Sequence, residues 1–377
     1  MKRYLYEFIN KDLVNKAILL SGPRQVGKTT LARSFFGEGG EYLNYDILTD
    51  RKIIHEQSWR KDVPIIVLDE IHKFKKWKNF LKGIIDQYQN KPPLIITGSA
   101  RLEVFRKAGD ALTGRTFIYH LHPIDIAEAC QVMPNSSAEV HLASLMITGG
   151  FPESFHNPEN AQRLLRARLG TILREDIQDL SRIAQIKTLE LLVELLRERV
   201  SGQINYANLA NDLSVSPPTV KSWIELLEKL YLIFLLRPFA TKSAKSLRKE
   251  PKFYFYDSLA ATNGEAAVLE NIVASALLKW CEFERDTKGR NLLLQYYRDS
   301  NDREVDFVIS EDRKAFACIE VKMSEDSPSS SLKYLSERIN PKYSLQLVKN
   351  LNRAKDYGEI KVRPLAEWLK NISAELS

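Results

Sequence analysis

The segment GPRQVGKT, residues 22–29, constrains this chain more than any other. It fits the spacing G-x-x-x-x-G-K-[ST], follows the apolar run AILL (17–20) and precedes TLARSFF, which reads as a helix. A loop of this kind curls its backbone N–H groups inward around a phosphate, and the helix N-terminus behind it adds a favourable field for the anion. Gly22 and Gly27 permit the curl, while Lys28 is expected to reach the β- and γ-phosphates of a nucleotide and Thr29 to hold Mg2+.

Such a loop belongs between a strand and a helix of an α/β sheet. The apolar runs AILL, YLNYD (42–46), PIIVLD (64–69), LIITGS (94–99) and TFIYHL (116–121) alternate with helical stretches, which argues for a parallel sheet with helices on both faces. IIVLDE (65–70) ends a strand in two acids. Asp69 is expected beside the Mg2+, acting mainly through water, and Glu70 is expected to polarise the water that attacks the γ-phosphate. The plainer reading is a buried strand whose acids merely begin a loop. Thr97 or Ser99, at the end of the next strand, offers a hydroxyl to sense the phosphate or orient water, with Ser99 preferred. Arg115, in LTGRTF, reads either as an arginine finger for a neighbouring subunit, which would require a homo-oligomer, or as a solvated arginine. Lys73, Lys75, Lys76, Lys78 and Lys82 read as the solvated face of a helix around Phe74, Trp77 and Leu81.

Residues 140–240 are mostly helical. KTLELLVELLRERV (187–200) carries apolar residues at helical spacing. A short helix, a turn and a longer helix then make a helix-turn-helix, with Ser216 capping a helix that opens at Pro217 and an apolar wing strand after it. On the second helix Lys221 and Lys229 are offset by Glu225 and Glu228, a poor footprint for DNA. TKSAKSLRKEPK (241–252) sets Lys242, Lys245, Arg248, Lys249 and Lys252 against Glu250 alone. It reads either as a phosphate-gripping hairpin or as a solvated linker. The net charge of +7 permits nucleic acid as a partner without establishing one.

Beyond residue 250 the order is strand, helix, three strands, helix, strand. Strand alternation puts Glu304 and Asp306 on one face of EVDFVI, and Glu320 and Lys322 on one face of CIEVKM, fourteen positions after Asp306. If the two strands pair, Asp306, Glu320 and Lys322 converge. Two carboxylates then offer oxygen ligands to Mg2+, and Lys322 can hold water and stabilise charge on a phosphate. Glu270, from the helix over 265–281, is a candidate fourth member. The plainer reading is ordinary charge on a half-exposed sheet, against which stands Asp306, an acid between Val305 and Phe307 on a strand.

GPRQVGKTTLA, VLDEI, ITGSA, LTGR, GGFPE, FYFYDSLAA, LENIV, YYRD, EVDFVI and IEVK together resemble, in order, the prokaryotic AAA-like P-loop ATPases that carry a C-terminal uncharacterised domain. The resemblance covers about residues 10–350. It implies a P-loop NTPase core, a helical and winged-helix middle region and an α/β domain of restriction-endonuclease-like (PD-(D/E)xK) fold. It also implies ATP and Mg2+ as ligands. ATP would be held by Gly22, Pro23, Arg24, Gln25, Val26, Gly27, Lys28, Thr29 and Thr30, while Asp69 and Glu70 would serve Mg2+ and water. Asp306, Glu320 and Lys322 match the nuclease pattern, although Val305 stands where that pattern often has proline.

At 377 residues the chain is expected to hold two to three domains, divided as 1–130, 140–240 and 250–377. Cys130, Cys281 and Cys318 are odd in number and lack metal-ligand spacing, so a reducing cytoplasm is expected. Glu7, Lys11 and Asp12 interrupt any apolar leader. The longest apolar run, 230–236, is far short of the roughly 20 residues of a membrane span. The readings that follow are an ATPase coupled to a module binding nucleic acid or a partner, an ATP-gated metal-dependent nuclease, or a nucleotide switch with little hydrolysis.

Overall fold

The five apolar runs of the first 120 residues become five strands: β1 (Ala17–Ser21), β2 (Glu41–Asn44), β3 (Ile66–Asp69), β4 (Leu94–Thr97) and β5 (Thr116–His120). In this computed structural model, residues 3–37, 39–98, 111–176, 186–239 and 250–377 are described, the side chains of 175 and 176 excepted. The strands lie in the order β2-β3-β4-β1-β5, all parallel. β1, β3 and β4 are buried along their whole length, as a sheet covered on both faces requires. Alternation divides β1 between those faces. Ala17 and Leu19 enter a core with Leu68, Trp77, Leu81 and Ile84, so Ile18 and Leu20 point the other way.

The register brings the strand ends level. Leu20 lies beside Thr97, Ser21 beside His120, and Asn44 beside Asp69. The chain leaves β1 for the far edge at β2, returns through β3 and β4, and places β5 on the other side of β1. The crevice outside the carboxyl ends of the strands, where strand order reverses, is where open parallel sheets bind ligands.

Two units make up the chain, one of Met1–His122 with Lys229–Tyr231 and one of Pro123–Glu228 with Leu232–Ser377. The second opens with helices. Tyr206–Leu213 and Pro217–Lys229 form the expected helix-turn-helix, and Ser216 caps the latter by accepting from the Thr219 N–H at 3.3 Å. The strand that follows, β6 (Ile233–Pro238), does not stand apart as a wing. It pairs antiparallel with β7 (Lys252–Phe255) and, through Arg237 and Pro238, parallel with β8 (Leu292–Arg298).

These strands continue into β9 (Glu304–Glu311), β10 (Lys314–Lys322), β11 (Tyr343–Val348), β12 (Lys355–Tyr357) and β13 (Ile360–Pro364). Together they form a mixed eight-stranded sheet, β12-β13-β11-β10-β9-β8-β6-β7. The helix Ser330–Ile339 makes the crossover between the parallel strands β10 and β11, packing Leu332 and Leu335 against Val308 and Cys318. The long helix Glu265–Lys288 stacks Trp280 on Phe316 of β10, with ring centroids 6.2 Å apart. Its Asn271 is fully buried and reads both backbone groups of Phe255, accepting from the N–H and donating to the carbonyl at 2.8 Å each. That pair of bonds docks the helix on β7. Elsewhere in the unit, Arg168 forms a buried ion pair with Asp257, its guanidinium 3.6 Å from the Phe151 ring centroid. No helix among the described residues is long and apolar enough to cross a membrane.

Candidate functional site

The loop between β1 and the helix Lys28–Arg33 is shaped by three residues with positive φ: Gly22 at 140°, Gln25 at 64° and Gly27 at 98°. At Gly22 the need for glycine is also steric, because a Cβ there would lie 2.3 Å from the Leu121 carbonyl oxygen. Val26 is wholly buried and pins the loop from beneath. Lys28 is 8% exposed and folds back over the loop, donating Nζ to the Gly22 and Pro23 carbonyls at 2.8 and 2.7 Å. Two loop carbonyls thus hold the ammonium against the loop backbone. Arg24 and Thr30 lie in the same loop and first helical turn.

Asp69 is the centre of the site. Its Oδ2 accepts from Thr29 Oγ1 at 2.9 Å and from the Tyr42 hydroxyl at 2.7 Å. Its Oδ1 accepts from Thr97 Oγ1 at 2.5 Å and from the Glu70 N–H at 3.0 Å. Four donors, from β2, β4, the loop helix and the residue just after β3, fix one carboxylate, an arrangement that the level strand ends make possible. The donor set fits Mg2+, which takes one or two protein oxygens and leaves its other positions to water and phosphate. Thr29 Oγ1 and Asp69 Oδ2 are the oxygens at hand.

Glu70 follows in the left-handed region at φ 54°, where the strand ends. Burial, and then the charge of Asp69, push its carboxyl up to about 6. His72 Nε2 lies 3.4 Å from Glu70 Oε2. Ser99 lies outside the described residues, and the strand-end hydroxyl on Asp69 is that of Thr97. Arg115 precedes β5, and its carbonyl accepts from the Ala17 N–H at the start of β1. It therefore stands at the opposite end of the sheet from its own phosphate loop. Its guanidinium grips Asp86, Nε to Oδ1 at 2.6 Å and Nη2 to Oδ2 at 3.0 Å.

Two partners escaped the reading of the sequence. Tyr42 carries the Arg33 guanidinium 4.0 Å from its ring centroid, and burial together with the Asp69 bond holds its hydroxyl well above the ordinary phenol range. Arg3, 6% exposed, donates Nη1 to the Val26 carbonyl at 2.8 Å and Nη2 to the His122 carbonyl at 2.5 Å. Tyr42 lay within a strand already identified from its apolar run. Nothing local marked Arg3.

A second cluster lies in the C-terminal sheet. β9 and β10 pair antiparallel, with Phe307 beside Ile319, so one further step of that register sets Asp306 across from Glu320. Asp306 Oδ2 accepts from the Val321 N–H at 2.9 Å, and Lys322 Nζ lies 2.9 Å from Glu320 Oε1. Glu320 Oε2 is buried without a hydrogen-bond partner among the described residues. From the docked helix, Glu270 Oε1 accepts from the Tyr254 hydroxyl at 2.7 Å. Burial first, and then the charge of Asp306, push both Glu270 and Glu320 up to about 7. Glu270, Asp306, Glu320 and Lys322 are thus neighbours. Lys252 is the unexpected member. Counted in the sequence among charges able to grip phosphate, it is 3% exposed and turned into the acids. The rest of that basic run, residues 240–249, lies outside the described residues.

Residues 14–130 match a family model described as an AAA domain. They form an AAA-type, P-loop ATPase-like domain. Residues 139–262 and 265–368 match models described as domains of unknown function, DUF8612 and DUF4143. An uncharacterized protein of Mycobacterium tuberculosis is 24% identical over 306 residues, covering 78% of this chain and 67% of its own length. One of Methanocaldococcus jannaschii is 23% identical over 319 residues, covering 67% of this chain and 65% of its own length. The chain spans about two thirds of the length of these relatives. Among solved structures, the Walker-type ATPase of Pyrococcus abyssi is similar at a TM-score of 0.41 and 16% identity, covering 70% of this chain and 94% of its own. A signal transduction ATPase with numerous domains from Pyrococcus horikoshii is similar at a TM-score of 0.32 and 15% identity, covering 77% of this chain and 48% of its own.

Proposed function

We propose that the chain binds ATP and hydrolyses it with Mg2+, and that the nucleotide state acts on the C-terminal domain as a module for binding nucleic acid or a protein partner. The observation that carries the hydrolytic reading is the fixing of Asp69 by Thr29 Oγ1 at 2.9 Å, which joins the phosphate loop to the acidic strand end. In this reading the loop N–H groups and Lys28 bind the β- and γ-phosphates, while Thr29 and Asp69 hold Mg2+. When bound, that ion neutralises charge on the phosphates. Glu70 takes a proton from the attacking water. Its raised carboxyl sits nearer neutral pH than an ordinary glutamate, as suits a group that must accept a proton and release it. Support for one coupled machine comes from the 306-residue similarity to the mycobacterial relative, which is longer than the AAA-like segment alone.

Radiolabelled ATP binding and phosphate release test this. Lys28→Ala is expected to abolish binding. Glu70→Gln is expected to keep binding and to lower turnover by roughly 10²–10⁴-fold, the usual worth of a general base. ATP binding that survives Lys28→Ala would sink the reading. If wild type and Glu70→Gln both bind ATP and both fail to turn it over, the chain is a switch and not a motor.

A further inference from the structure

The acidic cluster of the C-terminal sheet already holds a cation. Lys252 opens β7, and its Nζ contacts Glu304 Oε1, lies 3.5 Å from Glu270 Oε1 and 3.8 Å from Asp306 Oδ1. A lysine this deeply buried keeps its charge when carboxylates surround it. Burial lowers its pKa, and the three acids more than reverse that, leaving it above the ordinary value. Two neighbouring oxygens have partners as well, Asp306 Oδ2 accepting from the Val321 N–H at 2.9 Å and Glu304 Oε2 from Arg298 Nη1 at 3.1 Å, whereas Glu320 Oε2, which Lys252 does not reach, has none among the described residues. Among the described residues, no group of three or more His, Cys, Asp or Glu side chains is arranged to hold a metal ion.

The position of Lys252 is set by backbone and not by a free side chain. Leu236 pairs with Lys252 across β6 and β7, and Asn271 holds both backbone groups of Phe255 three residues on. A divalent ion would have to expel a buried ammonium from three carboxylates while its strand stayed clamped. The three carboxylates around Lys252 therefore do not fit a metal, although one of them, Asp306, stands in the sequence at a metal-site spacing from Glu320.

We propose that Lys252 is the resident cation of this cluster, and that the C-terminal domain holds Glu270, Glu304 and Asp306 together without a divalent metal. The domain then keeps a nuclease-like arrangement of residues with its metal position closed, and serves as a binding module. This stands apart from the reading of the phosphate loop and does not depend on it.

Mn2+ is the probe, titrated by calorimetry into the nucleotide-free full chain. Wild type and Asp306→Asn are expected to bind the same number of Mn2+ ions. Lys252→Met is expected to bind one more, and Lys252→Met with Asp306→Asn to lose that one again. Two results overturn the proposal: one Mn2+ fewer in Asp306→Asn than in wild type, or no gain in a Lys252→Met protein whose circular dichroism matches wild type. If Lys252→Met does not fold, the comparison of wild type with Asp306→Asn decides alone. Equal stoichiometry supports the closed site and a missing ion refutes it.

Discussion

The Tyr42 hydroxyl donates to Oδ2 of Asp69 at 2.7 Å, sharing that oxygen with Thr29 Oγ1 at 2.9 Å. Tyr42→Phe keeps the ring beneath Arg33 and removes only the donor. A hydrogen bond to a charged group contributes about 1.5–3 kcal/mol, so turnover is expected to fall about tenfold or more. ATP affinity measured without Mg2+ should hold within about twofold, since the loop contacts are untouched. Unchanged turnover in Tyr42→Phe would remove Tyr42 from the site.

Gly22→Ala places a Cβ 2.3 Å from the Leu121 carbonyl oxygen, at a φ of 140° that side chains rarely adopt. Neither strand end can yield cheaply, because the Leu121 N–H donates back to the Ser21 carbonyl at 2.8 Å. The expected cost is about 2 kcal/mol or more, with nucleotide binding lost as the loop is pushed from its place. Thermal melting with and without ATP measures both effects.

Arg115 tests whether a second copy takes part. Within one chain it stands at the start of β5, some four strand residues or about 13 Å from the level of the phosphate loop. Turnover of dilute protein is therefore expected to be independent of Arg115, and Arg115→Ala should match wild type there. Turnover that climbs with protein concentration in wild type but not in Arg115→Ala would identify a finger supplied by a neighbour.

Asn271→Ala strips two buried backbone groups of Phe255 of their partner. At about 1–3 kcal/mol for each unsatisfied group, urea unfolding should show a loss of about 2–6 kcal/mol. Asn271→Leu, of similar size, should do no better. A loss below about 1 kcal/mol would mean that water replaces the amide.

Much of the first unit was legible because its signals are local. Each apolar run became a strand, and Lys28, Thr29, Asp69 and Glu70 lie at a loop or strand end whose position follows from neighbours in sequence. Asp306, Glu320 and Lys322 were legible for a similar reason, since strand period and one hairpin bring them together. Glu270 came from the face of a helix. Lys252 was misjudged because its neighbours in sequence are basic, whereas its neighbours in space are Glu270, Glu304 and Asp306. Asn271 and Arg3 act on backbone groups 16, 23 and 119 residues away, and no period or spacing encodes such partners. The strand expected as a wing reads the same in sequence whether it stands free or joins a sheet. Only its pairing with β7 and β8 distinguishes the two.

Arg3 holds the Val26 carbonyl in the phosphate loop with one nitrogen and the His122 carbonyl with the other. His122 is the last residue of the first unit before the chain passes into the second at Pro123. A guanidinium is planar and stiff, so the two carbonyls keep a fixed spacing. One side chain thus ties the phosphate loop to the last residue before Pro123, and losing Arg3 would loosen both places at once.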